Sequence, residues 1–212
     1  MNSSNAPSSR PAAARMPSDL AEKIAAMGRV IDPAGTQALY AALHDREPYA
    51  GAVVTRDLAY GPDPLQVLDV FKPAQASAGA IPVLVYVHGG GFERGDKHLA
   101  DTPFSDNVPL WAARNGMVGV NVNYRLAPQA GWPSGPQDIA AILNWVKAEI
   151  GAYGGDPGRV YMLGISAGAN HVASYLAFPE FQTPQTSPVA GAMLLSGTPF
   201  DTTVYPMQTF KA

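Results

Sequence analysis

The chain is predicted to fold as an α/β protein, a three-layer sandwich whose sheet is mostly parallel and begins with an antiparallel hairpin. Two patterns predict this fold. From residue 81 onward, nearly continuous apolar runs alternate with helical segments, which is typical of parallel strands covered on both faces. Before residue 81, two segments of strand character flank the turn sequence Gly61-Pro62-Asp63-Pro64, which favours a hairpin.

The individual elements follow from the spacing of apolar residues. The helix around 136–150 has the clearest pattern, because its apolar residues form one stripe at helical spacing and Ser134 stands before it as a candidate cap. The other predicted elements are hairpin strands at 53–60 and 65–71, later strands at 81–87, 117–123, 159–164 and 189–195, and helices around 108–115 and 166–177.

The amino-terminal region has a different composition. Residues 1–18 are rich in Ser, Pro, Ala and Asn and are predicted to form a disordered tail. A transit peptide is the alternative, because Arg10 and Arg15 precede any acidic residue. Residues 19–48 have apolar residues at helical spacing, interrupted at Pro33, and are predicted to form one or two helices. Residues 49–212 are predicted to form a single domain.

Composition excludes several classes of function. The 212 residues carry a formal net charge of −3 and no basic run, so nucleic acid and anionic membranes are not expected as partners. No apolar stretch approaches the roughly 20 residues that span a bilayer, and no apolar segment typical of a secretory signal follows the amino terminus. We therefore expect a cytoplasmic protein without a membrane span. The chain has no cysteine, which excludes disulfides and thiolate chemistry. Its oligomeric state is left open.

The segment from Val160 to Gly168 predicts a nucleophile. An apolar strand runs into Gly164-Ile165-Ser166-Ala167-Gly168, and a helix of small residues follows. A sharp strand-to-helix turn needs small residues two positions before and after the serine, because strand and helix crowd there. The turn should hold Ser166 at a positive φ with its hydroxyl directed into a cleft. The alternative is a serine that only caps the helix.

A second motif, His88-Gly89-Gly90-Gly91, follows the strand at 81–87. Three successive glycines allow backbone amides to point into a site, and such amides stabilise the oxyanion of an acyl-transfer reaction. The amides of Gly89, Gly90 and Ala167 are the predicted donors. A phosphate cradle is the alternative, but neither glycine pattern typical of one occurs. Both motifs end parallel strands, so they should meet at one edge of the sheet.

The general base is not evident. We expect His88 to hydrogen-bond backbone and fix the glycine loop, and His171, five residues after Ser166, to point away from the serine hydroxyl. His44 and His98 are assigned surface or capping roles, and Asp201 is a candidate for an acid that orients a histidine. No histidine follows His171. No metal or cofactor is predicted.

Five motifs together resemble the α/β-hydrolases, and most of all the carboxylesterases related to hormone-sensitive lipase. The motifs lie between about residues 50 and 200 and are His88–Phe92 with Gly95-Asp96, Tyr124–Pro128, Pro136 with Asp138 and Trp145, Gly155–Pro157, and Gly164–Gly168.

The resemblance implies that Ser166 is the acylated nucleophile of a carboxylic-ester hydrolase and that the amides of Gly89, Gly90 and Ala167 form its oxyanion hole. It implies that residues 19–48 belong to a cap and that Tyr124–Pro128 and Asp138 are architectural, with a contact between Arg125 and a carboxylate. The expected substrate is a small-molecule ester.

This chain departs from that family at its carboxyl end. Family members continue with an acid after a seventh strand and a histidine after an eighth, and neither is present here. We therefore expect an incomplete domain, truncated after about the sixth strand, with that strand as an exposed apolar edge and with little activity by itself. The alternatives are an amide hydrolase of the arylformamidase type, a non-catalytic small-molecule binder like the plant gibberellin receptors, and an inactive fragment.

Overall fold

A computed structural model of the protein describes residues 16–75 and 77–197. The chain divides into two compact units, Met1–His44 and Asp45–Ala212. No helix in the described ranges is long and apolar enough to cross a bilayer.

The first unit contains two helices, α1 (Ser18–Met27) and α2 (Pro33–Ala41). Asp32 caps α2, because its carboxylate accepts a hydrogen bond of 2.9 Å from the amide of Gly35, and Pro33 occupies the first turn, where its missing N–H costs nothing. The proline that interrupts the sequence pattern is therefore the start of a second helix. Most of the tail predicted for residues 1–18 lies outside the described residues, and the assignment of 19–48 to a cap stays a prediction.

The second unit is built on a six-stranded sheet. Its strands are β1 (Ala52–Ala59), β2 (Val67–Pro73), β3 (Ile81–Val87), β4 (Val118–Val122), β5 (Gly155–Ile165) and β6 (Val189–Leu195), in the order β1-β2-β4-β3-β5-β6. Strands β1 and β2 pair antiparallel, and β2 also pairs antiparallel with β4. The remaining neighbours in the sheet, β4 with β3, β3 with β5 and β5 with β6, all pair parallel. The predicted hairpin and the mostly parallel sheet are both confirmed.

Three helices accompany the sheet: α3 (Asn107–Arg114), α4 (Ser134–Glu149) and α5 (Ala167–Ala177). They form layers on both of its faces. Val70 of β2 belongs to the large core beneath α4 and α5, whereas the next residue, Phe71, belongs to a smaller cluster with Leu110 of α3. Successive strand residues point to opposite faces, so the sheet lies between two helical layers. The predicted three-layer sandwich is confirmed.

The predicted cap of α4 is wrong. Ser134 is the first residue of the helix, and Pro133 occupies the capping position without a side-chain hydrogen bond. The Ser134 hydroxyl instead donates a hydrogen bond of 2.8 Å to the carbonyl of Ala130, in the loop before the helix. The hydroxyl is thus satisfied by a carbonyl four residues earlier in the chain and not by an amide of the helix.

Strand β6 forms one edge of the sheet described here, and it pairs only with β5. Met193, Leu194 and Leu195 are 48%, 40% and 46% exposed, so apolar side chains reach solvent from both faces of this strand. The sequence-based expectation of an exposed apolar edge is confirmed.

Candidate active site

Ser166 lies on the sharp turn between β5 and α5. Its backbone has φ 52° and ψ −117°, a combination that is strained for a residue with a side chain. The amide of Ser166 donates a hydrogen bond of 2.8 Å to the carbonyl of Leu195, the last residue of β6. The positive φ predicted for this serine is confirmed, and the turn is fixed by the neighbouring strand.

The two glycines around Ser166 are required by close packing. A Cβ on Gly164 would come within 2.6 Å of the carbonyl oxygen of Gly168, in the first turn of α5. A Cβ on Gly168 would overlap the carbonyl of Val87, at the end of β3. The predicted need for small residues at these two positions is therefore confirmed, and α5 packs directly against the end of β3.

The glycine loop after β3 reaches the serine. A Cβ placed on Gly89 would lie 3.1 Å from the Cβ of Ser166, so the two residues are in van der Waals contact range. Gly90 has φ 142°, and a side chain there would overlap the carbonyl of Arg94. The two motifs, 78 positions apart in the sequence, thus converge at the carboxyl edge of neighbouring strands, as the topology predicts.

The third amide is that of Ala167, the first residue of α5. An amide at this position has no acceptor within its own helix, and it lies at the positive end of the helix dipole. It directly follows Ser166, and the backbone of Gly89 approaches the Ser166 side chain from the other motif. Such an arrangement can stabilise negative charge on an oxygen bonded to the serine.

His88 anchors the start of the glycine loop. It is buried, and its Nδ1 donates a hydrogen bond of 2.7 Å to the carbonyl of Gly89, as expected from the sequence. The ring stacks on Tyr124 at a centroid distance of 4.5 Å, and the Tyr124 phenol donates a hydrogen bond of 2.9 Å to the His88 carbonyl. Burial lowers the pKa of His88, so its imidazole is neutral at pH 7.

His171 completes a group of rings, His88, Phe92, Tyr124 and His171, that we name the ring cluster. Its imidazole meets Phe92 and Tyr124 edge-on, at centroid distances of 5.2 Å and 4.7 Å. Its Nε2 is buried and has no hydrogen-bond partner among the described residues. Burial lowers the pKa of His171 to about 4, whereas the charge of Asp138 acts in the opposite direction. The side chain is thus held by rings.

A second group, Arg56, Asp57, Asp69, Lys97 and Asp106, surrounds the other end of the glycine loop and is named the ion-pair cluster. Lys97 lies 2.7 Å from a carboxylate oxygen of Asp57 and 2.8 Å from one of Asp69. Arg56 lies 2.7 Å from both Asp69 and Asp106. The side chains of both aspartates are fully buried, so their charges depend on these partners.

Further bonds connect the ion-pair cluster to the backbone near the loop. The amide of Lys97 donates a hydrogen bond of 2.6 Å to the Asn123 side chain, just beyond β4, and Asn121 donates to the carbonyl of Lys97. His98 places its Nδ1 2.8 Å from Asp106, so its role is that of a partner in this cluster. His98 was expected from the sequence to have a surface or capping role, and its contact with Asp106 was not predicted. The cluster as a whole was not predicted.

A third contact does follow the sequence-based expectation. Arg125 lies 2.7 Å from a carboxylate oxygen of Asp138 on α4, and the Arg125 amide donates a hydrogen bond of 2.8 Å to the same side chain. The Gln66 amide group donates a further hydrogen bond of 2.8 Å. Asp138 therefore ties the segment after β4 to the first turns of α4, which is an architectural role.

No histidine in the described part of the chain hydrogen-bonds to Ser166. His88 donates to backbone, His98 binds a carboxylate, and His171 is surrounded by rings. Asp201, the candidate orienting acid, lies outside the described residues. Within residues 16–75 and 77–197, no group of three or more metal-ligating side chains has the arrangement of a metal site.

The chain is similar to parts of several known esterases. It is similar to Esterase LipC of Mycobacterium tuberculosis, with 28% identity over 153 residues, which are 69% of this chain and 37% of that protein. The bacterial heroin esterase has a similar structure, with a TM-score of 0.57 and 30% identity over 74% of this chain and 49% of that one. Esterase B of Lactobacillus rhamnosis has the same fold, with a TM-score of 0.59 and 24% identity over 84% of this chain and 54% of that one.

These relatives are considerably longer. The chain spans less than two fifths of the length of LipC and about half of each of the two solved structures. The sequence family described as BD-FAE matches residues 68–203, which include both glycine motifs and most of the sheet. The fold is that of the α/β-hydrolases, and the chain belongs to the BD-FAE family.

Proposed function

We propose that this chain carries the nucleophile and the oxyanion hole of a serine hydrolase that cleaves carboxylic esters. The observation that carries the proposal is the close approach of the Gly89 backbone to Ser166, which lies on a strained turn. We propose that the amides of this segment face the serine hydroxyl. The relatives named above are esterases, which supports an ester substrate. The roles of Ser166, Gly89, Gly90 and Ala167 are part of this proposal.

The proposed reaction begins with attack of the Ser166 hydroxyl oxygen on the ester carbonyl carbon. The carbonyl oxygen gains negative charge and accepts hydrogen bonds from the three amides, which stabilises the tetrahedral intermediate. Collapse of the intermediate breaks the bond to the alcohol oxygen and leaves an acyl group on Ser166. Water then hydrolyses the acyl-enzyme and restores the serine.

The base that accepts the serine proton is proposed to lie in a part of the protein outside these 212 residues. Two findings support this assignment. His88, His98 and His171 make their contacts with groups other than Ser166, and the relatives are much longer than the matched region. A histidine from that further region would take the proton and return it to the leaving alcohol, with an acid to orient it.

The first experiment measures hydrolysis of p-nitrophenyl acetate and of N-formylkynurenine by the 212-residue chain and by a protein extended with the two further strands that the family resemblance predicts. We expect the 212-residue chain to be at least about a thousandfold slower than the extended protein, because loss of the catalytic histidine removes most of the catalytic effect. In the extended protein, Ser166→Ala should abolish turnover. Ser174→Ala, on the same helix, is the matched control and should leave turnover unchanged.

The outcomes separate the candidate functions. Faster cleavage of N-formylkynurenine than of the ester would favour an amide hydrolase. An extended protein that turns over neither substrate would favour a small-molecule binder. Full turnover by the 212-residue chain, lost in Ser166→Ala, would contradict the proposed origin of the base and would turn attention to His88 and His171.

A further inference from the structure

His171 contacts three segments that come from different parts of the chain. Its imidazole lies edge-on to Phe92 in the glycine loop and to Tyr124 after β4. On a third side it lies against the backbone of Gly135 in the first turn of α4, so closely that a Cβ on Gly135 would overlap the imidazole Nδ1 and Cε1. The ring itself belongs to α5, whose first residue follows Ser166.

Two of these contacts are with residues that hold the glycine loop. Tyr124 fixes the start of the loop, through its hydrogen bond to the His88 carbonyl and through stacking on the His88 ring. Phe92 belongs to the loop and has φ 71°, and its carbonyl accepts a hydrogen bond of 2.9 Å from the amide of Ala127. The imidazole of His171 thus touches Phe92 in the loop itself and Tyr124, which holds the start of the segment that contains Gly89 and Gly90.

The contacts of His171 suit a spacer better than a base. Its buried Nε2 has no hydrogen-bond partner in the described ranges, and its edges are occupied by two aromatic rings and a glycine backbone. A ring in such a position determines the distance between the helix that follows Ser166 and the loop that faces it. Interior packing is dense, so a change in that ring is transmitted to its neighbours.

We propose that His171 is a positioning residue, whose imidazole holds the glycine loop at the distance from Ser166 that places the Gly89 and Gly90 amides. This inference rests on the proposed function, since it gives those amides their role at the oxyanion. It assigns His171 no contact with the substrate.

The test displaces the ring without changing it. In Gly135→Ala, the added methyl group overlaps the imidazole and should push it toward Phe92 and Tyr124. Gly131→Ala is the matched control, because a Cβ there meets nothing within 4 Å. Both changes are also made in a His171→Ala background, where the space left by the ring accommodates the methyl group.

Two readouts are taken at a temperature where every variant is folded. The first is the position of the Gly89 and Gly90 amide resonances in ¹⁵N NMR spectra of the 212-residue chain. The second is the rate at which diethyl p-nitrophenyl phosphate modifies Ser166 in the extended protein, which would include the proposed base. In this reaction an Oγ–P bond forms, the bond to p-nitrophenolate breaks, and the serine proton passes to that base.

We expect Gly135→Ala to move both glycine resonances and to slow modification roughly tenfold, because small displacements of reacting groups have large effects on rate. Gly131→Ala should change neither readout, and Gly135→Ala should have no further effect in the His171→Ala background. A loss of stability alone would lower the unfolding temperature of Gly135→Ala but leave both readouts unchanged while the protein is folded.

Wild-type resonances in Gly135→Ala would overturn the inference, and so would an equal effect of this change with and without His171. Should Ser166 fail to react even in the extended protein, the proposed function would be in error. The NMR readout would then still decide the positioning role of His171, because it requires no reaction.

Discussion

The two ends of the glycine loop are held by clusters of opposite chemistry. At the amino end, the ring cluster packs neutral imidazoles against aromatic rings. At the carboxyl end, the ion-pair cluster buries two carboxylates and satisfies them with Arg56 and Lys97. Both clusters bring together residues from separate strands and loops, so each makes the position of the loop depend on the whole sheet.

The clusters differ in the free-energy cost of removing their side chains from water. A neutral ring loses little when water is removed, whereas a buried charge must keep a partner. Burial alone would lower the pKa of Lys97, but its hydrogen bonds to Asp57 and Asp69 leave that pKa raised. Burial of His171 lowers its pKa, and no carboxylate lies close enough to reverse the effect. Loss of a charged partner should therefore destabilise the ion-pair cluster, whereas protonation of a buried imidazole should destabilise the ring cluster.

The largest effect is expected from Lys97→Met, which removes one partner of the buried Asp69. We expect the free energy of unfolding to fall by about 3–5 kcal/mol, because Arg56 alone would then have to balance the charges of two buried carboxylates, Asp69 and Asp106. Denaturant titration of the purified chain measures this loss. A decrease below about 1 kcal/mol would mean that water reaches Asp69, and the cluster would then resemble a surface site.

Acid should act first on the ring cluster. The pKa of His171 is lowered from 6.5 to about 4, so between these values the unfolded chain binds a proton that the folded chain does not. The free energy of unfolding should therefore decrease as the pH falls from about 6.5 to about 4, by on the order of 3 kcal/mol. The groups that face His171 are Asp138, which opposes the shift, and His88, which adds to it.

The control for acid is His171→Phe, which should reduce the decrease between pH 6.5 and 4 when unfolding is measured at several pH values. The part that remains is expected from His88, whose pKa burial also lowers. The ion-pair cluster behaves differently, because hydrogen bonds from Arg56 lower the pKa of Asp106 despite its burial. Its contribution should be lost only as the pH falls below about 4, the ordinary range for aspartate. An unchanged pH profile in His171→Phe would show that this imidazole is solvated.

The smallest effect is expected from Arg159→Met. Arg159 lies 2.7 Å from Asp156, the same distance as in the pair of Lys97 and Asp57, but its side chain is 49% exposed whereas that of Lys97 is 5% exposed. Exposed pairs contribute little, so the unfolding temperature should change by no more than about 2 °C. A change as large as that of Lys97→Met would show that the distance between the charges matters more than their burial.

The sequence predicts those parts of the molecule that depend on local spacing. The positive φ of Ser166, the small neighbours Gly164 and Gly168, and the parallel strands all follow from short patterns, and the structure confirms them. The bond of His88 to backbone and the contact of Arg125 with Asp138 were also anticipated.

The ion-pair cluster could not be predicted in this way. Arg56 lies 13 positions from Asp69 and 50 from Asp106 along the chain, and no spacing distinguishes these residues from charged residues on a surface. A weak signal was present, since Asp69 interrupts the apolar strand β2 and a charge in such a strand needs a partner. The partner itself is fixed only by tertiary structure.

The hydrogen bond from the Ser166 amide to Leu195 makes the nucleophile turn a neighbour of the sheet margin. Fraying of the outermost strand would release this amide to solvent. The rate of hydrogen–deuterium exchange at the Ser166 amide would therefore measure how often β6 frays. A polypeptide that pairs with the free edge of β6 should slow this exchange. The backbone conformation of Ser166 thus depends partly on the stability of an edge strand.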